Sequence, residues 1–458
     1  MIIFLDKRSS RLGSVAARRG REPAGRAAPL RLLQPDGTTL SEKRGDRAGL
    51  IGPLIEHLPP SVDPWLRAGQ RYLLPLLRRR VPLLRARGPV LADGTPGTLL
   101  LAGDSATARY LAKRFFAEAP VFERIGTASP FRLPAMLPAL AEGVDLVVAT
   151  VPRWLARRSG DRLWLRVPES VGARLEAKAD GSTFAGASKT ARRNIELVRK
   201  SGLTWTTSHD PADFERFYDE MYVPFAKARY GELAFVRDRH ALRRRFRQGG
   251  LFWIRRDGEI VAGQLFQIEG ASLHVLGPGT PGGSSEPVKL GALSALYLAA
   301  AAHAERNGIR WLDMGGSSPS LRDGVLLHKR GWGAMLADRP ESHADLLVRW
   351  RSITPPVAHF LAETPLVVRD GDGFAAVTVW DGQGGIAGSA AALRDKLAMP
   401  GLRRLHVLAT GGGETGRLPP AAGQDTELLV SPPGPPESLG MRPEAPAGHT
   451  PDTVGSYS

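Results

Sequence analysis

The chain has 458 residues, 42% of them hydrophobic, so it is long enough for two or three cores and too apolar for a wholly disordered polymer. It has no cysteine, which excludes disulfides, thiolate nucleophiles, Cys-ligated zinc and iron–sulfur clusters, and which fits a reducing, cytoplasmic location. The 62 Lys and Arg against 46 Asp and Glu leave a net charge of +16, which favours polyanionic partners such as tRNA, phosphorylated carriers, nucleotide-linked precursors or anionic lipid.

Residues 1–60 are basic and rich in Gly, Pro and Ala, and are expected as a mostly disordered arm with a short strand at Ile2–Leu5. The apolar start is too short for the core of a signal peptide, and no stretch reaches the roughly 20 apolar residues of a spanning helix. Residues 64–87 alternate Leu runs with Arg. Such a segment suits a peripheral contact with an anionic membrane, but Pro75 and Pro82 interrupt it, and short helical turns are expected. Residues 61–180 read as an N-terminal α/β domain. Thr98–Ala102 is an apolar strand, and Ser105 caps a helix reaching Phe116. Gly103 before that helix reads as a tight turn rather than a nucleotide loop. Asp145–Thr150 and Leu163–Pro168 are further strands.

Residues 181–345 are patterned most clearly. Ser188–Lys200 is a basic helix stopped by Ser201 and Gly202. A strand at Leu203–Thr207 leads to a helix capped by Asp210 with Pro211 in its first turn. A second basic helix spans Arg237–Arg247. Three strands follow, Leu251–Arg256, Glu259–Ile268 and Ala271–Gly277, turning at Asp257-Gly258 and Glu269-Gly270. A Gly/Pro/Ser loop then opens a helix over Val288–Asn307, and Ile309–Met314 is the next strand, ended by Gly315-Gly316. Beyond 345 the pattern weakens: 346–409 reads as an extension with strands at Phe374–Trp380 and Leu405–Leu408, and 410–458 as a disordered Gly/Pro-rich tail.

The order meander, helix, strand resembles the core of a GNAT acyltransferase. Three segments resemble the FemAB-like branch of that superfamily: Ser188–Ile195 with Lys200–Leu203, the strand end Leu312-Asp313-Met314-Gly315-Gly316-Ser317, and Gly324–Gly333 containing His328-Lys329-Arg330-Gly331-Trp332. The resemblance implies an α/β (α+β) fold, a mixed sheet flanked by helices, and the halves 90–180 and 181–345 are compatible with two tandem domains of this kind. It implies acyl transfer from an acyl-CoA, such as acetyl-CoA, to an amine of a small molecule or cell-envelope precursor. Aminoacyl-tRNA is the alternative donor, as in ligases of the branch. A non-catalytic basic module binding nucleic acid or membrane on the same scaffold is the reading outside enzymology. The usual pyrophosphate loop R/Q-x-x-G-x-G/A is missing; Gly282, Gly283, Ser284, Ser285 and Lys289 stand in its place, ahead of a helix whose N–H groups suit phosphate.

Acyl transfer to an amine requires a base, a polarised carbonyl and a held donor. By the resemblance, Lys329 offsets the developing oxyanion. Asp313, alternating with Leu312 and Met314, faces away from a core and orients the amine or caps the N–H groups of Gly315 and Gly316. His274, on the third meander strand, is a candidate base or a hydrogen-bonded structural histidine. Lys189, Arg192 and Arg193 are candidates for phosphates of the substrate or for a solvated face. Glu259, Glu269 and Asp323 are expected to be solvated at turns. The ten histidines form no His-x-x-x-His pair, so no metal site is expected, and neither a G-x-S-x-G elbow nor a Walker loop is present.

Overall fold

In a computed structural model, the protein is described over residues 80–441 apart from 104, 160–162, 232–235, 340 and 413. The expected arm at 1–60, its strand at Ile2–Leu5 and the first part of the 64–87 segment lie outside the described residues. Val81–Pro89 (β1) corrects the end of that segment: it is a strand, not helical turns, because Val81, Leu83 and Ala86 are buried on a pleated surface while Arg87 is exposed. Pro82 and Pro89 are tolerated because a strand, unlike a helix interior, accommodates their fixed φ at positions that need no donor.

β1 is second in a six-stranded sheet with Pro96–Ala102 (β2), Val121–Ala128 (β3), Leu146–Pro152 (β4), Leu165–Pro168 (β5) and, from far along the chain, Ala344–Arg349. The order is β3-β1-β2-β4, then Ala344–Arg349, then β5. Ala106–Phe115 (α1) starts where predicted, with Ser105 Oγ accepting the N–H of Ala108 at 3.1 Å. Leu133–Leu140 (α2) and Arg153–Arg158 (α3) follow. Neither helix is among those expected from sequence; α2 carries Pro134 in its first turn and Pro138 inside it.

The chain then crosses to a second sheet. Val171–Glu176 (β6) is followed by Lys189–Lys200 (α4), Thr204–Ser208 (β7) and Pro211–Phe217 (α5). A π-turn at Tyr218–Tyr222 joins α5 to Val223–Tyr230 (α6), and Arg239–Phe246 is α7. The meander is Gly249–Arg256 (β8), Glu259–Glu269 (β9) and Ser272–Gly279 (β10). The helix expected at Val288–Asn307 is two: Glu286–Lys289 (α8) and Ala292–Arg306 (α9), separated by Gly291 in the left-handed region at φ +91°. Trp311–Ser317 (β11) and Gly324–Gly331 (α10) complete the core, with Met335–Ala337 (β12) at the edge. The sheet order is β12-β6-β11-β10-β9-β8-β7, with β10 and β11 parallel.

The two faces of this sheet bury different cores. Phe252, Ile254, Leu273, Val275, Leu312 and Met314 pack with α9 and with Ala191 and Val198 of α4. Leu251, Trp253, Leu265 and Leu276 pack with Phe214, Phe217, Tyr222, Leu242 and Phe246 of α5–α7. Strand alternation puts neighbours on opposite faces, so the single meander closes two cores.

Ala344–Arg349 (β13) returns to the first sheet. Pro355–Glu363 (α11), Leu366–Asp370 (β14), Gly373–Trp380 (β15), Ala391–Leu397 (α12), Leu402–Ala409 (β16), Gly416–Leu418 (β17) and Glu427–Ser431 (β18) then form a third unit. Its sheet order is β14-β15-β16-β18-β17. This corrects the expected tail: residues to 441 are structured, and β18 sits between β16 and β17 because Leu428 and Val430 are buried at period two. Among the described residues no helix is long and apolar enough to cross a membrane.

Candidate active site

β10 and β11 pair only through Ser272–His274 and Trp311–Asp313, after which the ladder between them ends. His274 and Asp313 face each other at this last register position. Their neighbours Leu273, Val275, Leu312 and Met314 are buried against α9, so both polar side chains project to the α5–α7 face, as the alternation of Asp313 implied. His274 Nδ1 and Asp313 Oδ2 are 2.9 Å apart, and the other carboxylate oxygen accepts the N–H of Gly315 at 2.6 Å. The side chains are 27% and 24% exposed, so the pair is sheltered yet reachable.

The hydrogen bond to Asp313 raises the His274 pKa above its ordinary value, with Glu269, 4.0 Å from Nε2, adding to the effect. Burial alone would raise the Asp313 carboxyl, but the hydrogen bonds from His274 and the Gly315 N–H outweigh it and hold the carboxyl below its ordinary value. A carboxylate accepting Nδ1–H selects the tautomer whose Nε2 is free to take a proton.

Two glycines permit this arrangement. Gly315 turns the strand end at φ +78°, where a side chain is strained. Gly277 lies under the ring of Tyr222, and a β-carbon there would collide with it. The π-turn carrying Tyr222 thus presses on β10 just past the point where β11 leaves it. Neither Tyr222 nor Arg339, whose guanidinium packs on Gly316, was singled out from sequence. The signal for Tyr222 was Gly277 and Gly279 within a strand, a pattern that marks close approach.

Lys329 takes a different place from the one expected. It is 3% exposed, and its ammonium donates to Gly315 O at 2.7 Å, Gly316 O at 2.8 Å and Ser317 Oγ at 3.1 Å. Its donors are directed at these three oxygens, so Lys329 anchors the end of β11 behind Asp313. Burial pushes its pKa down to about 7. Asp323, expected to be solvated, is buried and caps α10 by accepting the N–H groups of Val325 and Leu326 at 3.1 and 3.0 Å.

The remaining candidates do not converge on the pair. Gly283 and Ser284 use their N–H groups inside the turn, bonding Thr280 O and Pro281 O. Gly282 and Ser285 are exposed, and Lys289 is paired with Glu286 at 2.5 Å on the surface. The start of α9 is closed, since Gly291 and Ala292 are buried and Leu197 and Val198 of α4 lie against Gly291. The N–H groups of Gly283 and Ser284 are thus committed within the turn. Lys189, Arg192 and Arg193 are exposed on α4, which packs on the face opposite His274 and Asp313. A cavity of about 750 Å³ lies on that side, between Ser188, Thr190 and Asn194 of α4 and Leu327, His328 and Trp332 near α10.

A meander that continues into a helix and a parallel strand is the framework of a GNAT-type domain. Residues 185–323 match the profile of the acetyltransferase (GNAT) domain, and this stretch of the chain is such a domain. No curated protein matches the chain. Solved structures similar to it include L-PGS from Bacillus licheniformis at 14% identity, covering 60% of this chain and 87% of that one with a TM-score of 0.31. FemX is similar at 14% identity, covering 57% and 87% with a TM-score of 0.33. A GCN5-related N-acetyltransferase from Kribbella flavida is similar at 19% identity, covering 62% and 93% with a TM-score of 0.24.

Proposed function

We propose that the 185–323 domain moves an acyl group from an acyl-CoA to the amine of a small-molecule or envelope precursor, with His274 as general base and Asp313 as the residue that orients it. The observation that carries this reading is the 2.9 Å His274–Asp313 contact at the position where β10 and β11 separate. The neutral amine nitrogen attacks the thioester carbonyl while His274 Nε2 takes the proton that nitrogen sheds as the C–N bond forms. The tetrahedral oxyanion collapses, the C–S bond breaks, and the leaving thiolate takes the proton from the imidazolium. Lys329 supports this indirectly by holding the strand that bears Asp313.

Aminoacyl-tRNA is the second donor to test, because the loop at 281–289 lacks the usual pyrophosphate motif and bonds largely to itself. The test is mass-detected transfer to a panel of amines, run in parallel with acyl-CoA thioesters and aminoacyl-tRNA. With the productive donor, His274→Ala lowers kcat by about 10²–10⁴-fold. Undiminished turnover by folded His274→Ala protein rules the mechanism out. Salt-sensitive RNA binding with no turnover from either donor would favour the non-catalytic module.

A further inference from the structure

The first sheet carries a surface unrelated to this chemistry. α2, Leu133-Pro134-Ala135-Met136-Leu137-Pro138-Ala139-Leu140, has no charged residue. Leu133 and Leu137 are buried with Leu100, Val147 and Ala149, while Ala135, Met136, Pro138 and Ala139 face solvent. Met136 is 37% exposed. Beside it, the ring of Phe131 lies 5.6 Å from that of Trp154 on α3, which is 40% exposed. An apolar surface on a chain with a net charge of +16 is a candidate docking face.

The rim identifies what that is. Arg132 immediately precedes α2, and Arg157 and Arg158 end α3, all exposed; the Arg158 guanidinium stands 5.6 Å from the Trp154 ring centroid. Neither helix contains an acid. Asp338 is paired with Arg153 of α3. Tryptophan and methionine framed by arginines match the layered chemistry of a bilayer surface, with anionic headgroups outside and acyl chains beneath.

We propose that the α2–α3 surface seats on an anionic lipid bilayer, with Met136 and Trp154 entering the interface and Arg132 and Arg158 meeting lipid phosphates. A single eight-residue helix offers little area, so the association is reversible and salt-sensitive. It is independent of the acyl-transfer reading, because His274 and Asp313 belong to the other sheet.

The test uses the full chain and sucrose-loaded vesicles of phosphatidylcholine alone or mixed with phosphatidylglycerol. Wild-type protein should sediment with the mixed vesicles only, and brominated acyl chains should quench its fluorescence. R132Q/R158Q removes two charges, each worth about fivefold, and should weaken binding on the order of 25-fold. The conservative W154F should keep binding within about threefold but lose most of the quenching. The proposal is overturned if wild type ignores anionic vesicles, if it binds both vesicle types equally, or if R132Q/R158Q binds like wild type. Quenching that persists in W154F also overturns it, because the contact then lies elsewhere on the basic chain.

Discussion

Replacing Asp313 by Asn isolates the proposed base from its support with almost no change of volume. The substitution removes a charge-assisted hydrogen bond of 2.9 Å and leaves an amide that can equally donate to Nδ1, which would protonate Nε2 and abolish its basicity. A general base contributes about 10²–10⁴-fold, so kcat should fall by about that range with KM little changed. The pH dependence adds a second readout. The wild-type rate should rise with pH through a His274 pKa held above 6.5, and the residual Asp313→Asn limb should lie at lower pH because its main support is gone. Stability provides a third. A raised histidine pKa stabilises the fold fully below 6.5 and loses its effect as pH rises through the folded value; a lowered carboxyl pKa stabilises above 3.8 and fails as pH falls through the folded value. The pair therefore stabilises most between these limits. There the variant should be weaker by about 1.5–3 kcal/mol in urea unfolding, with the gap narrowing on either side. A variant with wild-type kcat and an unmoved acidic limb would refute the assignment of His274 as a base oriented by Asp313.

Lys329→Met should destabilise the protein by about 2–4 kcal/mol, since it strands two carbonyls and a hydroxyl that are otherwise satisfied. The Lys329 pKa falls from 10.5 unfolded to about 7 folded, so between these values the unfolded state binds more protons and stability rises with pH. That rise, followed by urea midpoints from neutral to alkaline pH, should vanish in Lys329→Met. Gly277→Ala should push Tyr222 off β10, costing about 1–3 kcal/mol and lowering kcat, which differential scanning and initial rates would detect together. Asp323→Ala removes the cap of α10 and should cost about 0.5–2 kcal/mol in chemical denaturation while sparing kcat.

Local chemistry was the legible part of the fold. Ser105, Ser188 and Asp210 begin helices because their side-chain oxygens reach N–H groups within three residues, and Asp257-Gly258 turns a hairpin by its backbone preferences alone. Failures came where tertiary context decides. The Leu/Arg alternation of β1, broken by Pro82, reads as short helical turns, and β18 hides inside a Gly/Pro-rich stretch because five residues suffice for a strand sheltered between neighbours. At the site, His274 and Asp313 were each visible as polar residues on apolar strands, but their meeting depends on a parallel register across 39 residues. Lys329 and Asp323 were misplaced for one reason: nothing local distinguishes a buried, fully bonded charge from a solvated one.

The donor question is separate from the proposed base chemistry. Deprotonating an amine makes the same demand whether the carbonyl is a thioester of coenzyme A or an ester of tRNA, so His274 and Asp313 do not discriminate between them. Discrimination must lie in what holds the carrier. A coenzyme A pyrophosphate needs open N–H groups, and here the turn at 281–284 bonds internally. A thioester carrier would therefore have to bind chiefly along the gap between β10 and β11, and truncating it to the pantetheine arm should change KM little. A tRNA carrier would instead distribute its phosphates over the exposed arginines of the chain, and its KM should climb steeply with salt. Measuring KM for full and truncated thioesters, and for aminoacyl-tRNA across ionic strength, separates the two: a large loss on truncation contradicts the closed-loop reading, and a salt-independent tRNA KM contradicts the polyanion reading.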